Sequence, residues 1–382
     1  MKIINLIPNE NGSYENSIWE QDCPVPDGWV AIPDNISIPD SFPFVKIEFN
    51  ENNEIITEEA YRAILVGLQT KEDISYSMDE LAGLAEAANA QVLGKLVQTL
   101  ERPNTATFIG KGKVEEVAEL AAAMEADVVI FNDELSGMQI RNLEDAIGVR
   151  VIDRTILILD IFAARADSRE GKLQVELAQL KYRMPRLIGF GKSLSRLGGG
   201  IGTRGPGEKK LETDRRHIER RIDDIREELA QLQRTRGVQR AKREKSGIPV
   251  VALVGYTNSG KSALMNRLLS LSDKEDKTVT EKDMLFATLD TQSRSVTLDS
   301  NHQFILVDTV GFVSKLPHSL VEAFKATLEE VLYADLLLHV VDSSYEECEF
   351  HIRVTDKVLS EIGAGAKEKI MVYNKIDLTE DF

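Results

Sequence analysis

The sequence predicts an α/β protein in which two mostly parallel sheets are separated by a helical hairpin. Three observations predict it. Short apolar runs alternate with Ala/Leu/Glu-rich stretches from Tyr61 to Asp153. A seam of Leu and Ile at helical spacing runs through a basic segment that follows. A second alternation then opens at the apolar run Val250 to Val254. A chain of 382 residues, 42% hydrophobic and 29% charged, has length for two or three such units.

Residues 1–58 precede the first alternation. They hold 6 of the 11 prolines, both tryptophans (Trp19 and Trp29), and 11 acidic residues against two lysines. Repeated Ile-Pro and Pro-Asp pairs favour extended, turn-rich backbone. A loosely ordered acidic appendage and a small β module both fit this composition, and no function follows from it.

The first α/β unit is expected over residues 59–153. Arg62 to Leu68 is a strand, Met78 to Leu100 and Lys113 to Met124 are helices, and Asp127 to Phe131 is a buried strand. A helix from Leu135 to Ala146 and a strand from Val149 to Ile152 complete it. Residues 154–247 are expected to form two helices around a glycine-rich loop. On the second, Leu211, Ile218, Ile222, Ile225, Leu229 and Leu232 make an a/d seam, and Leu173, Leu177 and Leu180 offer the partner stripe. Packing alone accounts for that stripe.

Charge is distributed unevenly. The chain carries 46 Lys plus Arg against 63 Asp plus Glu, for a net charge of -17. From Lys181 to Lys245, however, there are 19 basic and 9 acidic residues. A basic helix behind a glycine-rich loop can neutralise and approach an RNA backbone. The competing reading is a solvated helix face whose charges pair with neighbouring acids, and the overall negative charge disfavours indiscriminate RNA binding. No apolar run approaches the roughly 18 to 20 residues that span a bilayer, so no membrane span and a cytoplasmic location are expected. Two cysteines, Cys23 and Cys348, are too few for a disulfide framework or a thiolate zinc site.

The chemistry is expected in the second α/β unit, residues 248–382. Gly255-Tyr256-Thr257-Asn258-Ser259-Gly260-Lys261-Ser262 matches GxxxxGK[ST] between an apolar strand and the helical run Ala263 to Leu271. Its backbone amides and the helix dipole suit phosphate, Lys261 suits the β and γ oxygens, and Ser262 suits Mg²⁺. Asp308-Thr309-Val310-Gly311 follows the strand Phe304 to Val307. There Asp308 would hold the metal through water, and the Gly311 amide would sense the γ-phosphate. Asn374-Lys375-Ile376-Asp377 follows the strand Lys369 to Tyr373 and matches NKxD, whose carboxylate accepts from guanine N1-H and the 2-amino group that adenine lacks. Three motifs in order, each at a strand end, predict a P-loop G domain using GTP and GDP. NKxD disfavours an ATP-dependent enzyme.

The arrangement resembles the HflX family of ribosome-associated GTPases over roughly Tyr61 to Asp377. The most specific strings are Gly198-Gly199-Gly200-Ile201-Gly202-Thr203-Arg204-Gly205-Pro206-Gly207-Glu208, Leu211-Glu212-Thr213-Asp214-Arg215-Arg216, and Leu173-Gln174-Val175-Glu176-Leu177-Ala178-Gln179-Leu180. The resemblance implies GTP hydrolysis and binding to the large (50S) ribosomal subunit near its peptidyl-transferase region, with splitting of stalled or idle ribosomes. It points to the glycine-rich loop 198–207 and the basic helix 209–245 as rRNA contacts; a monomer is expected, although the sequence itself carries no signal for oligomeric state. It also implies that Leu285-Phe286-Ala287-Thr288-Leu289-Asp290 is the first switch, with Thr288 contacting Mg²⁺ and the γ-phosphate. Some family members are thought to use ATP through the N-terminal region, but no motif in residues 61–153 marks such a site.

Phe312 stands where Ras-like enzymes place a water-orienting Gln, so slow intrinsic hydrolysis is expected, with stimulation by the ribosome. Asn258 occupies a position that coordinates K⁺ in several related GTPases, and it serves equally as a side-chain-to-backbone hydrogen bonder. The chain stops at Phe382, five residues after Asp377. The fifth motif, last strand and closing helix of a G domain are therefore expected to be missing, as in a truncated or fused reading frame. A catalytically impaired ribosome- or RNA-binding fragment is the corresponding alternative.

Overall fold

A computed structural model describes residues 60–194, 206–272, 285–286, 291–298, 302–316, 320, 325–345 and 347–379, together with four short strands before residue 60. Side chains are described for most of these. The exceptions include 187–194, 206–212, 214 and 238–246. The chain divides into two units, Met1–Glu59 and Ala60–Phe382.

In the first unit, β1 (Lys2–Asn5) pairs antiparallel with β2 (Trp29–Ile32), and β3 (Ile47–Phe49) with β4 (Ile55–Thr57). The remainder of the expected appendage lies outside the described residues.

The second unit opens with β5 (Tyr61–Gln69), α1 (Ser75–Ala87), β6 (Ala90–Thr99), α2 (Lys111–Ala123), β7 (Val128–Phe131), α3 (Gly137–Ile147) and β8 (Arg150–Asp153). The sheet has order β6-β5-β7-β8, and every pair is parallel. Its β5 and β7 read as unbroken apolar runs because helices cover both faces. The expected helix Met78 to Leu100 is a helix followed by a strand. Asn89, in the left-handed region at φ 59°, turns the chain, and β6 then pairs along the whole of β5. Ala, Val and Leu after Asn89 carry no helix-specific signal, so tertiary pairing decides. Helix α3 starts on a reciprocal box in which Ser136 Oγ accepts from the Gln139 amide and the Gln139 side chain accepts from the Ser136 amide.

The two helices expected between Thr155 and Lys245 are three. Helix α4 (Arg154–Arg165) is capped by Asp153, whose Oδ1 accepts from the Ile156 amide at 3.0 Å. Its Leu157, Ile158, Ile161 and Phe162 share a core with Ala63, Leu65, Met78 and Leu81 of the first sheet. Helices α5 (Arg169–Leu194) and α6 (Pro206–Ser246) then form the hairpin. Leu173, Leu177 and Leu180 meet Ile218, Ile222, Ile225, Leu229 and Leu232 along it, and Arg221 grips Glu176 with two bonds of 2.7 Å. The side chain of Leu211 lies outside the description.

The final section comprises β9 (Val250–Gly255), α7 (Lys261–Ser270), β10 (Gln292–Leu298), β11 (His302–Asp308), α8 (Lys325–Tyr333), β12 (Leu336–Asp342), α9 (Cys348–Glu361), β13 (Lys369–Asn374) and a 3-10 turn at Ile376–Leu378. The sheet order is β10-β11-β9-β12-β13, with β10 antiparallel and the rest parallel. Chain order reverses at the central β9, so the crevice where α/β sheets hold ligands opens at its carboxyl end. One core runs through both α/β sections, and within it the Phe162 and Phe286 rings meet edge-on with centroids 4.6 Å apart. Among the described residues, no helix is long and apolar enough to cross a membrane.

Candidate functional site

The site is built on that crevice. Strand β9 ends at Gly255, and the chain loops through Tyr256 to Gly260 before entering α7 at Lys261. The loop is pinned to the segment after β11: Thr257 N donates to Phe312 O at 2.7 Å, and Phe312 N donates to Gly255 O at 3.1 Å. Asn258 sits in the left-handed region at φ 57°. Gly260 is there too, at φ +92°, and a Cβ on it would lie 2.1 Å from Asn374 Nδ2, so only glycine fits. The loop therefore delivers the amides at the start of α7 into the crevice, where their dipole favours an anion.

Lys261 is buried. Its ammonium donates to the Tyr256 carbonyl at 2.7 Å and to the Gly255 carbonyl at 3.3 Å. Burial lowers its pKa to about 8, while the nearby Asp308 carboxylate pulls the other way. A buried cation held, among the described residues, only by two backbone carbonyls, beside the amides at the start of a helix, suits a multiply charged anion.

Asp308 closes β11 with zero exposure, and its Oδ2 accepts from Ser262 Oγ at 2.7 Å. Thr309 Oγ1 donates to the Leu253 carbonyl at 2.6 Å, Val310 is buried, and Gly311 follows beneath the loop. A Cβ on Gly311 would stand 2.6 Å from Thr257 Cα and 3.0 Å from Lys261 Nζ. Ser262 and Asp308 present only oxygen, the donor set suited to Mg²⁺. Among the described residues, no group of three or more His, Cys, Asp or Glu is placed to hold a metal.

The third motif reaches the same loop. Asn374 Nδ2 donates to the Ser259 carbonyl at 2.9 Å. Lys375, at φ 58°, turns its ammonium to Asp342 Oδ2 at 2.8 Å, and Asp377 lies exposed in the 3-10 turn beyond. Gly255 to Ser262, Asp308 to Gly311 and Asn374 thus converge, with Asp377 three residues further along the chain. Thr288 and the glycine-rich stretch 198–205 lie outside the described residues. Of the expected first switch, Leu285 and Phe286 are described, and the Phe286 amide donates to Thr257 Oγ1 at 2.7 Å. The Phe312 ring is buried among apolar neighbours and so carries no group that could align water.

Sequence reading did not find Glu80, Arg154, Ser314 or Asp342. Asp342 ends an apolar strand as Asp308 does, a signal that could have found it. The other three meet only through tertiary folding. Beside the loop opens a cleft of about 370 Å³ lined, among the described residues, by Tyr76, Glu80, Asn258, Asp342, Tyr345 and His351.

Three family models match the chain. Residues 75–163 match the model described as GTP-binding GTPase N-terminal, 165–243 its Middle Region, and 250–375 the model described as 50S ribosome-binding GTPase. The "GTPase HflX" of Caldanaerobacter subterraneus subsp. tengcongensis is 56% identical over 327 residues, covering 86% of this chain and 75% of that one. The "GTPase HflX" of Lacrimispora saccharolytica is 50% identical, with 84% and 74% covered. That of Escherichia coli K12 is 44% identical, with the same coverage. Among solved structures, a crystal structure described as the SsGBP and GDP complex is 28% identical, covers 84% of each chain and has a TM-score of 0.48.

Proposed function

The chain belongs to the HflX family of GTPases, and from that premise we propose that it hydrolyses GTP to GDP and phosphate on the large ribosomal subunit, separating stalled or idle ribosomes in the cytoplasm. The observation that carries the nucleotide part is the convergence on one loop. Ser262 reaches Asp308 at 2.7 Å and Asn374 reaches the Ser259 carbonyl at 2.9 Å, so three motifs distant in sequence surround one anion-binding crevice.

In this reading, the Gly255 to Ser262 backbone wraps the phosphates, and Lys261 neutralises their β and γ oxygens. An incoming phosphate would replace the two carbonyls as the partner of the Lys261 ammonium and restore its ordinary proton affinity. Ser262 and Asp308 would hold Mg²⁺, with Thr288 as a further ligand, and the ion supplies positive charge to the transferring phosphoryl group. Thr309 and Val310 fix the turn that brings the Gly311 amide under Lys261. Asp377 reads guanine, while Asn374 and Lys375 set the turn that carries it. Asn258 would be the K⁺ ligand in this reading.

Phe312 cannot orient water, so hydrolysis by the free protein is slow. The stimulating partner would meet the basic segment: in this reading residues 198–207 and 209–245 contact rRNA, whose phosphates match their excess of Lys and Arg.

The test is phosphate release by the full chain with Mg²⁺ and GTP, alone and with purified large subunits, alongside light scattering of intact ribosomes. Stimulation by the large subunit together with a GTP-dependent fall in scattering supports the proposal. GTP hydrolysis indifferent to ribosomes would remove the ribosomal part and leave the GTPase.

A further inference from the structure

Glu80 on α1 and Arg154 at the start of α4 form an ion pair whose side chains are 2% and 3% exposed. Charges this deep are tolerated when they are paired and further hydrogen-bonded, and of the Arg154 nitrogens only Nε is left without a partner. Here those bonds go to two loops of the nucleotide section. One Glu80 oxygen accepts from the Tyr256 hydroxyl and the other from the Ser314 hydroxyl. Tyr256 Oη accepts in turn from the Ser314 amide at 2.7 Å, and Arg154 donates to the Ser314 carbonyl at 3.3 Å. Its other terminal nitrogen donates to Asn132 Oδ1 at 3.0 Å and to the Ser77 carbonyl at 3.4 Å, which roots the guanidinium in the first α/β section.

Both loops matter to the chemistry. Tyr256 is the second residue of the phosphate loop, and its carbonyl is the 2.7 Å partner of Lys261. Ser314 lies three residues beyond Gly311. The Tyr256 ring is stacked on His351, with centroids 3.9 Å apart and planes 12° from parallel, so its hydroxyl has a fixed direction. Burial, and next the Glu80 charge, push the phenol's pKa above its ordinary value, which keeps it a donor. A hydrophobic filler would hold these elements together at least as well as an ion pair does. What the charged cluster adds is direction at the hydroxyl and amide it fixes.

We propose that Glu80 and Arg154 are positioning residues for GTP hydrolysis, acting through Tyr256 and Ser314 to hold the phosphate loop in register with the segment that follows Asp308 to Gly311. The proposal rests on the GTPase reading of the same site. It makes the first α/β section part of the hydrolytic apparatus, because a shift of α1 against α4 moves the two loops that flank the γ-phosphate position.

The test uses the full chain with Tyr256→Phe, Glu80→Gln, both together, and the pair Arg154→Lys and Arg154→Met. Single-turnover GTP hydrolysis and equilibrium binding of a fluorescent GDP are measured for each. Misplacement of a positioned group costs rate more than ground-state affinity, so Tyr256→Phe should lower the rate roughly 10-fold or more and change the GDP Kd by less than about 3-fold. Glu80→Gln should act alike, and the double variant should be little slower than the slower single, because both cut one link. Arg154→Lys should retain more of the rate than Arg154→Met.

A folded Tyr256→Phe hydrolysing at the parent's rate overturns the positioning role, as does an equal fall in rate and GDP affinity. Should Glu80→Gln not fold, Tyr256→Phe, which keeps the stacked ring, decides alone. A parent that hydrolyses no GTP even with large ribosomal subunits added overturns the GTPase reading, and the positioning role with it.

Discussion

Replacing Lys261 with methionine should make the nucleotide-free protein more stable while removing its GTP binding. The buried ammonium titrates at about 8 instead of 10.5. At neutral pH that difference disfavours the charged, folded form by about 3 kcal/mol. The two carbonyls that Lys261 contacts keep other donors, since Gly255 O also accepts from Phe312 N at 3.1 Å and Tyr256 O from Ser259 N at 3.3 Å. Losing the ammonium therefore costs them about 1 kcal/mol. The net gain is about 2 kcal/mol, or roughly 3 °C in thermal midpoint for a unit as large as Ala60–Phe382. The sign with pH follows from linkage. Between about 8 and 10.5 the unfolded chain binds the proton that the folded chain has lost, so the parent gains stability as pH rises through that window. Lys261→Met lacks that gain, and its advantage over the parent should be complete below pH 8 and shrink towards pH 10.5. Differential scanning fluorimetry from pH 6.5 to 10.5, without nucleotide, reads this directly. A variant no more stable than the parent at pH 7, with a difference that does not vary with pH, would refute the reasoning. A variant that binds GTP as the parent does would refute the phosphate-loop assignment.

Asp377→Asn should relax the preference for guanine, seen as a narrowing of the GDP to ADP affinity ratio, and an unchanged ratio would remove Asp377 from base reading. Gly311→Ala places a Cβ 2.6 Å from Thr257 Cα, so the loop must shift; GTP hydrolysis should fall by roughly 100-fold while GDP binding persists. Asp153→Ala should destabilise the chain by about 3 kcal/mol or more in urea melts. Asp153 is fully buried, caps α4, accepts from the Leu135 amide at 3.0 Å and the Tyr182 hydroxyl, and faces Arg186 at 3.4 Å. A loss below about 1 kcal/mol would mean that other groups cap the helix.

The elements that carry the nucleotide motifs were legible because strand, loop and helix each leave a local mark there. Val250 to Val254 is apolar throughout, glycines bound the loop, and α7 begins where the lysine stands. The hairpin seam was legible for the same reason, since spacings of three and four residues are local. What failed was the run from Met78 to Leu100, where Ala, Leu and Val serve helix and strand equally and only pairing with β5 decides. Helix α4 is not separated from the two expected helices because it is buried against the first sheet and shows little polar periodicity. The cluster of Glu80, Arg154, Tyr256 and Ser314 spans 234 residues between its ends. No spacing rule connects such positions, and Glu80 in particular reads as an ordinary helix-surface acid until α1 meets the phosphate loop.

The most direct test of the account is equilibrium binding of a fluorescent GDP to the full chain with Mg²⁺, displaced separately by GDP, GTP and ADP. The three converging motifs call for micromolar binding that GDP and GTP displace and ADP does not. A folded chain that binds no nucleotide, or that ADP displaces as well as GDP, would contradict the central claim that Gly255 to Ser262, Asp308 to Gly311 and Asn374 to Asp377 form one guanine-nucleotide site.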